Sequence, residues 1–366
     1  MASYWAKVVL VALTLAATGL AASPATAQQA IDLKPGKAWK HRHSGIGVPA
    51  TLAGTAREGG KAFATDDLDV GLSFVEGNAV QSLTFYIYRN TNGAVPVWFS
   101  QAQWGIENRD TFGHPALAIP PQAFVPPGQT TASGLKAIYE PKGGSYRSTG
   151  VMLLPVGDWY VKVRASSQTR SPAELASWME AALAEIDWPR DIPPAVAAEP
   201  VTPCVEPLRF ATKSADATGD DLTAEALGVA LMSAAAGDET IRKTRSSAPP
   251  ARWCRDRTLD GNVATYRPDG SKDTYLLAYG DNGKGLWIGP SPMKVAMDEI
   301  AHKKGAAVVV HYNVTLHTAA QDINFVLQDL LPSPERAIEL VNTNRRASTV
   351  DTWGKNRQVQ ITSPAK

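Results

Sequence analysis

Ser82-Leu83-Thr84-Phe85-Tyr86-Ile87-Tyr88-Arg89 alternates residue by residue between two kinds of side chain. Leu83, Phe85 and Ile87 fall on one face, and Thr84, Tyr86 and Tyr88 fall on the other. A period of two marks a strand with one face buried. Residues 159–165 repeat the pattern, with Trp159, Val161 and Val163 opposed to Tyr160, Lys162 and Arg164. Residues 150–154 precede them across Pro155-Val156-Gly157-Asp158, so 150–165 reads as a hairpin. Residues 70–75 read as a further strand, joined to the first through Glu76-Gly77-Asn78.

Apolar strand faces need a cover. Ser171-Pro172-Ala173-Glu174 is a capping box with proline at the first helical position. Leu175, Trp178, Met179, Ala182, Leu183 and Ile186 follow as one apolar stripe. This helix is expected on the apolar face of the strands. The other face carries Tyr86, Tyr88 and Arg89 from one strand and Tyr160, Lys162 and Arg164 from another, and is left to solvent or a loop. Aromatic rings interleaved with cations stack on flat ligands and pair with anions. The six residues are therefore the candidate ligand-binding set, for a glycan, an anionic envelope component or a protein partner. An ordinary wet sheet face, on which tyrosine is simply a good strand former, explains the same pattern.

Outward from this core, Pro189, Pro193, Pro194, Pro200, Pro203 and Pro207 crowd residues 187–207 and exclude helix and central strand there. Beyond them, 222–236 reads as a helix ending at Gly237. Short strands are expected at 262–267, 275–279 and 286–288, with the turn dipeptides Asp269-Gly270 and Asn282-Gly283 between them. Helices are expected at 293–303 and 319–331 and from Ser333-Pro334-Glu335, with a β-rich run at 306–316. Residues 120–127 read as a proline-rich loop. The expected fold class is α+β, in two halves, each an antiparallel sheet backed by one or more helices. Residues 28–186 and 208–366 form the halves, the latter with a frayed tail, and 187–207 is a Pro-rich linker.

Residues 1–27 carry Lys7, an apolar run at 8–22 and Ala25-Thr26-Ala27. This is the layout of a secretory signal peptide cleaved after Ala27. The run is shorter than the roughly 20 residues that span a bilayer, which sets this reading against an uncleaved anchor. The expected location is periplasmic or secreted, with no integral membrane segment after cleavage. In an oxidising compartment the two cysteines, Cys204 and Cys254, are expected to form a disulfide.

The chain has 36 basic and 35 acidic side chains, and losing Lys7 with the leader balances them. A neutral chain has no global field for nucleic acid, so none is expected as a partner. Residues 242–257 are locally basic.

No motif compels a reaction, and no cofactor or metal is implied. Thr55-Ala56-Arg57-Glu58-Gly59-Gly60-Lys61-Ala62 lacks the first glycine and the final hydroxyl of a phosphate loop, and reads as a surface turn. His41 and His43 would share one side of an extended but mobile segment, while His311 and His317 fall on one face but far apart. Ser145, Ser148 and Thr149 have no histidine near them in sequence. Asp66, Asp67 and Asp69 read as a solvated turn. The expected function is non-catalytic binding of a ligand or partner in the cell envelope, through a sheet face or a cleft. The alternatives are an envelope-polymer hydrolase without a local motif and a structural interaction module.

Overall fold

The computed structural model describes residues 28–211, 213–219, 222–236, 252–259, 262–292 and 311–362. Within them the chain builds two large antiparallel sheets and four α-helices. The leader, the helix expected at 293–303, residues 306–310 of the β-rich run and residues 242–251 of the basic stretch lie outside the described residues.

The first sheet has nine strands: Gln29–Ala30 (β1), Thr51–Leu52 (β2), Thr55–Ala62 (β3), Asp69–Glu76 (β4), Gln81–Arg89 (β5), Ala116–Phe124 (β6), Gly134–Glu140 (β7), Ser148–Val156 (β8) and Trp159–Ser167 (β9). The spatial order is β1-β3-β4-β5-β9-β8-β7-β6, with β2 paired to β3. The second sheet is a meander in chain order: Thr202–Pro203 (β10), Trp253–Thr258 (β11), Val263–Pro268 (β12), Tyr275–Tyr279 (β13), Gly285–Pro290 (β14), Tyr312–His317 (β15), Gln321–Phe325 (β16), Arg346–Asp351 (β17) and Val359–Ile361 (β18). All its pairings are antiparallel except that of β10 with β11.

Four helices layer these sheets: Val95–Glu107 (α1), Pro172–Ala184 (α2), Leu222–Ala236 (α3) and Pro334–Asn342 (α4). The capping box forms at α2 as its sequence dictates, and Trp178, Met179 and Leu183 pack with Phe85, Met152, Leu154 and Val163 in one apolar core. On the other face of the first sheet lies α1, which buries Trp98, Phe99 and Ala102 among Leu135, Val151 and Leu153. The same core continues into Tyr266, Leu276 and Ala278 of the second sheet, so α1 lies between the sheets. Leu340 and Ala337 of α4 cover the far face of the second sheet, against Leu277, Leu286 and Val314.

The disulfide Cys204–Cys254 is present, with Cα atoms 4.8 Å apart. It ties the proline-rich stretch to β11, where Thr202 pairs with Cys254. Earlier in the stretch, Asp187 exchanges backbone hydrogen bonds with Gly47, and Ala198 N donates to Ala132 O.

Several local expectations are corrected. Residues 321–325, read as helical, form β16. Asp322 and Asn324 alternate there with Ile323 and Phe325, and both faces are covered. Residues 116–124 form an edge strand despite Pro120 and Pro121; its register shifts at these residues, where an edge tolerates lost donors. Residues 55–62 are a strand, not a turn. His41 is fully buried rather than mobile: its Nε2 donates to Asp67 O (2.9 Å) and its ring meets the face of Trp159 edge-on. Burial lowers its pKa. Asp69 is buried rather than solvated. Among the described residues no helix is long and apolar enough to cross a membrane.

Candidate functional site

The face left to solvent or a loop is covered. Tyr86, Tyr88, Tyr160, Lys162 and Arg164 share it, because Tyr86 pairs with Lys162, Tyr88 with Tyr160 and Thr84 with Arg164. It is covered by α1 and by the turn Asp281-Asn282-Gly283 between β13 and β14. Arg89 departs from the other five. It turns the opposite way, donates to Ala319 O (2.8 Å) and Thr352 O (2.9 Å), and stacks on the Trp353 ring.

The turn inserts charge into the first sheet. Lys162, only 3% exposed, sits with Nζ 2.7 Å from Asp281 Oδ2 and 3.0 Å from Asp281 O. Its ammonium also lies over the rings of Tyr86 and Tyr88. Arg164 Nη1 approaches the same carboxylate at 3.7 Å. Asn282 Nδ2 donates to Asp69 Oδ2 (3.0 Å), while Thr91 Oγ1 and Asn92 Nδ2 donate to Gly283 O. Gly283 has φ +86°, and a Cβ there would stand 3.2 Å from Arg89 O, so the close approach requires glycine. Gln101 of α1 completes the junction, donating to the backbone oxygens of Asn262 and Gly280.

Opposite pKa directions follow from this geometry. Burial alone would raise the Asp281 carboxyl, but Lys162 and Arg164 beside it outweigh burial and hold it low. Burial of Asp69 prevails over its bond from Asn282 and the Lys162 charge, and pushes its carboxyl up to about 6. Burial also lowers Lys162.

Asp69 therefore favours folding in its protonated form. That contribution is complete below the unfolded value of 3.8 and is lost as pH rises through about 6. Asp69→Asn keeps an acceptor for Asn282 and removes the charge. It is expected to stabilise the protein at pH 8 relative to pH 4 by up to about 3 kcal/mol against the parent. Urea unfolding at both pH values checks this; equal effects at the two would refute it.

Beside this junction lies an open cleft of about 610 Å³. One wall is the hairpin turn with Pro155, Gly157 and Asp158. A second is the start of α1, and the third is the proline-rich stretch with Pro193, Pro194 and Val196. Tyr160 lines the cleft as well. Its side chain is 2% exposed, and its hydroxyl has no hydrogen-bond partner among the described residues. Burial raises its pKa, so the hydroxyl keeps its proton and can donate. At the α1 terminus Ala94 provides no side-chain cap, Pro96 has no N–H, and Val97 and Trp98 donate to Ala94 O, so the Val95 N–H is the backbone donor left there.

Of the six sequence-derived residues, the structure brings Tyr160 to the cleft and sets Tyr86, Tyr88, Lys162 and Arg164 in the junction behind it. The sequence reading missed Asp69 and Asn282 as partners, and it missed α1. It recognised the Asn282-Gly283 turn and the proline stretch without placing them beside Tyr160. Among the described residues no group of three or more His, Cys, Asp or Glu is placed to hold a metal ion. No protein-family model, curated protein or solved structure matches the chain.

Proposed function

We propose that this is an exported, non-catalytic binding protein of the cell envelope, joined as two halves along the proline-rich stretch, and that its cleft receives a short extended peptide segment of a partner protein. One observation carries the reading: Tyr160, whose hydroxyl has no hydrogen-bond partner among the described residues, lines a cleft walled by Pro155, Pro193, Pro194 and Val196. Stiff apolar walls suit an extended chain, because little order has to be imposed on binding. The Tyr160 hydroxyl and the uncapped α1 terminus can donate to peptide carbonyls. The buried charges near the cleft are committed to each other across the sheet junction, which supports binding over chemistry. The leader-like residues 1–27 and the disulfide support export.

The probe is a phage library of random heptapeptides panned on the mature chain. Enriched peptides are expected to lose about tenfold in affinity on Tyr160→Phe, the worth of one hydrogen bond. They are expected to lose measurable binding on Val196→Arg, which narrows the cleft from an exposed position. Peptides that bind both variants as they bind the parent would refute the cleft as the site. Selective capture of a glycan in the same cleft would replace the peptide reading.

A further inference from the structure

The peptide cleft uses neither Lys162 nor Asp281, yet the fold brings an amine and a carboxyl from separate sheets into contact there. Lys162 lies inside β9, which is paired with β5 on one side and β8 on the other, so its backbone is fixed. Asp281 sits in a turn fixed on the first sheet by its neighbours. Asn282 Nδ2 donates to Asp69 Oδ2 (3.0 Å), and Gly283 O accepts from Thr91 Oγ1 (3.0 Å) and Asn92 Nδ2 (2.9 Å). Between these supports Lys162 Nζ stands 2.7 Å from Asp281 Oδ2 and 3.0 Å from Asp281 O. The rings of Tyr86 and Tyr88 close over the nitrogen, with centroids 4.7 Å and 5.5 Å away. Lys162 is buried, and water is largely kept from the contact.

Two effects set this pair apart from an ion pair at the surface. Reacting groups fixed on rigid elements meet at effective concentrations that reach about 10⁵–10⁸ M when well oriented. Holding both groups as ions in a dry site is also costly, so the neutral amine and acid are closer in energy than they are in water. The burial that lowers the Lys162 pKa acts in the same sense.

We infer that Lys162 and Asp281 condense into an amide that joins the two sheets covalently. The Nζ–Cγ bond forms and one Cγ–Oδ bond breaks. That oxygen leaves as water with two of the three ammonium protons, and the third stays on the amide nitrogen. The positive and negative charges cancel, so the step balances without a co-reactant. Arg164, 3.7 Å from the same carboxylate, has a side chain 19% exposed, so losing that charge does not strand it in a dry site. Ammonium and carboxylate are the unreactive forms of the two groups. Newly made protein therefore carries the ion pair, and the amide accumulates in the folded chain on standing.

Intact-mass spectrometry of the mature chain, disulfide reduced, follows the reaction over days at neutral pH. A growing fraction is expected to lose the mass of one water. Tryptic digestion is expected to release a branched peptide whose fragment ions place the link between Lys162 and Asp281, a measurement that needs no variant. Lys162→Arg keeps a positive charge beside Asp281 but has no amine, and is expected to keep its full mass. An unchanged parent mass would overturn the inference. So would water loss confined to residues 281–282, the mark of a cyclic imide at Asp281, or loss in Lys162→Arg equal to that of the parent.

Discussion

Asp281→Ala is expected to destabilise the protein by about 3–5 kcal/mol, the cost of leaving a buried charge without its partner. Lys162 is 3% exposed, and Asp281 supplies both a carboxylate oxygen and a backbone oxygen to its ammonium. The substitution removes the carboxylate and leaves the Lys162 charge buried beside Arg164. The double variant Lys162→Met, Asp281→Asn is expected to recover most of the loss, because the charges leave together and methionine fills the lysine's volume. Urea unfolding of Asp281→Ala and of the double variant checks this. A loss under about 1 kcal/mol in Asp281→Ala would mean that the turn does not hold the sheets together electrostatically.

Removing the disulfide through Cys204→Ser with Cys254→Ser is expected to cost about 4 kcal/mol by the chain-entropy relation. The bridge closes a 50-residue separation, and Cys254 is buried at β11. The strand it anchors is weak without it. Thr202–Pro203 is only two residues long and pairs in parallel, and the next bond along is Cys204 N to Arg255 O (3.0 Å). The proline-rich stretch that walls the cleft is thereby fixed at its far end. The same variant is accordingly expected to weaken peptide binding in the cleft as well as lower the urea midpoint. Unchanged stability would show that the bridge adds nothing to the packing of β11.

The hairpin, the capped helix α2, the meander turns and the start of α4 were legible because each has a local cause. Ser171 and Glu174 close their capping box within one turn, and α2 buries a single face, so its apolar stripe is clean. Helix α1 has no comparable stripe. It is packed between two sheets, and it buries Gln101 and Ser100 as well as Trp98 and Phe99, so its sequence shows no wet face. Strand β16 was misread for a related reason: Asp322 and Asn324 are buried, and their hydrogen bonds to His317 and Ser348 make polar residues serve as core.

The candidate site was partly legible. Tyr160, Lys162 and Arg164 were identified from alternation alone, and their shared face is as read. Their burial was not legible, because the cover comes from helix α1, earlier in the chain, and from the Asp281 turn, 119 residues beyond Lys162. Asn282 reaches Asp69 across a separation of 213 residues, and no local pattern encodes that contact. The prolines at 193 and 194 read as a spacer, since stiffness is legible in sequence and the surface it lies against is not.

Chemical-shift mapping on the isotope-labelled mature chain, titrated with the most enriched heptapeptide, tests the binding account most directly. Saturable shifts are expected only at Asn90, Gly93, Asp158, Tyr160, Val196 and their neighbours, with the Asp281–Gly283 turn unmoved. Shifts centred on another surface, or none at saturating peptide, would contradict it.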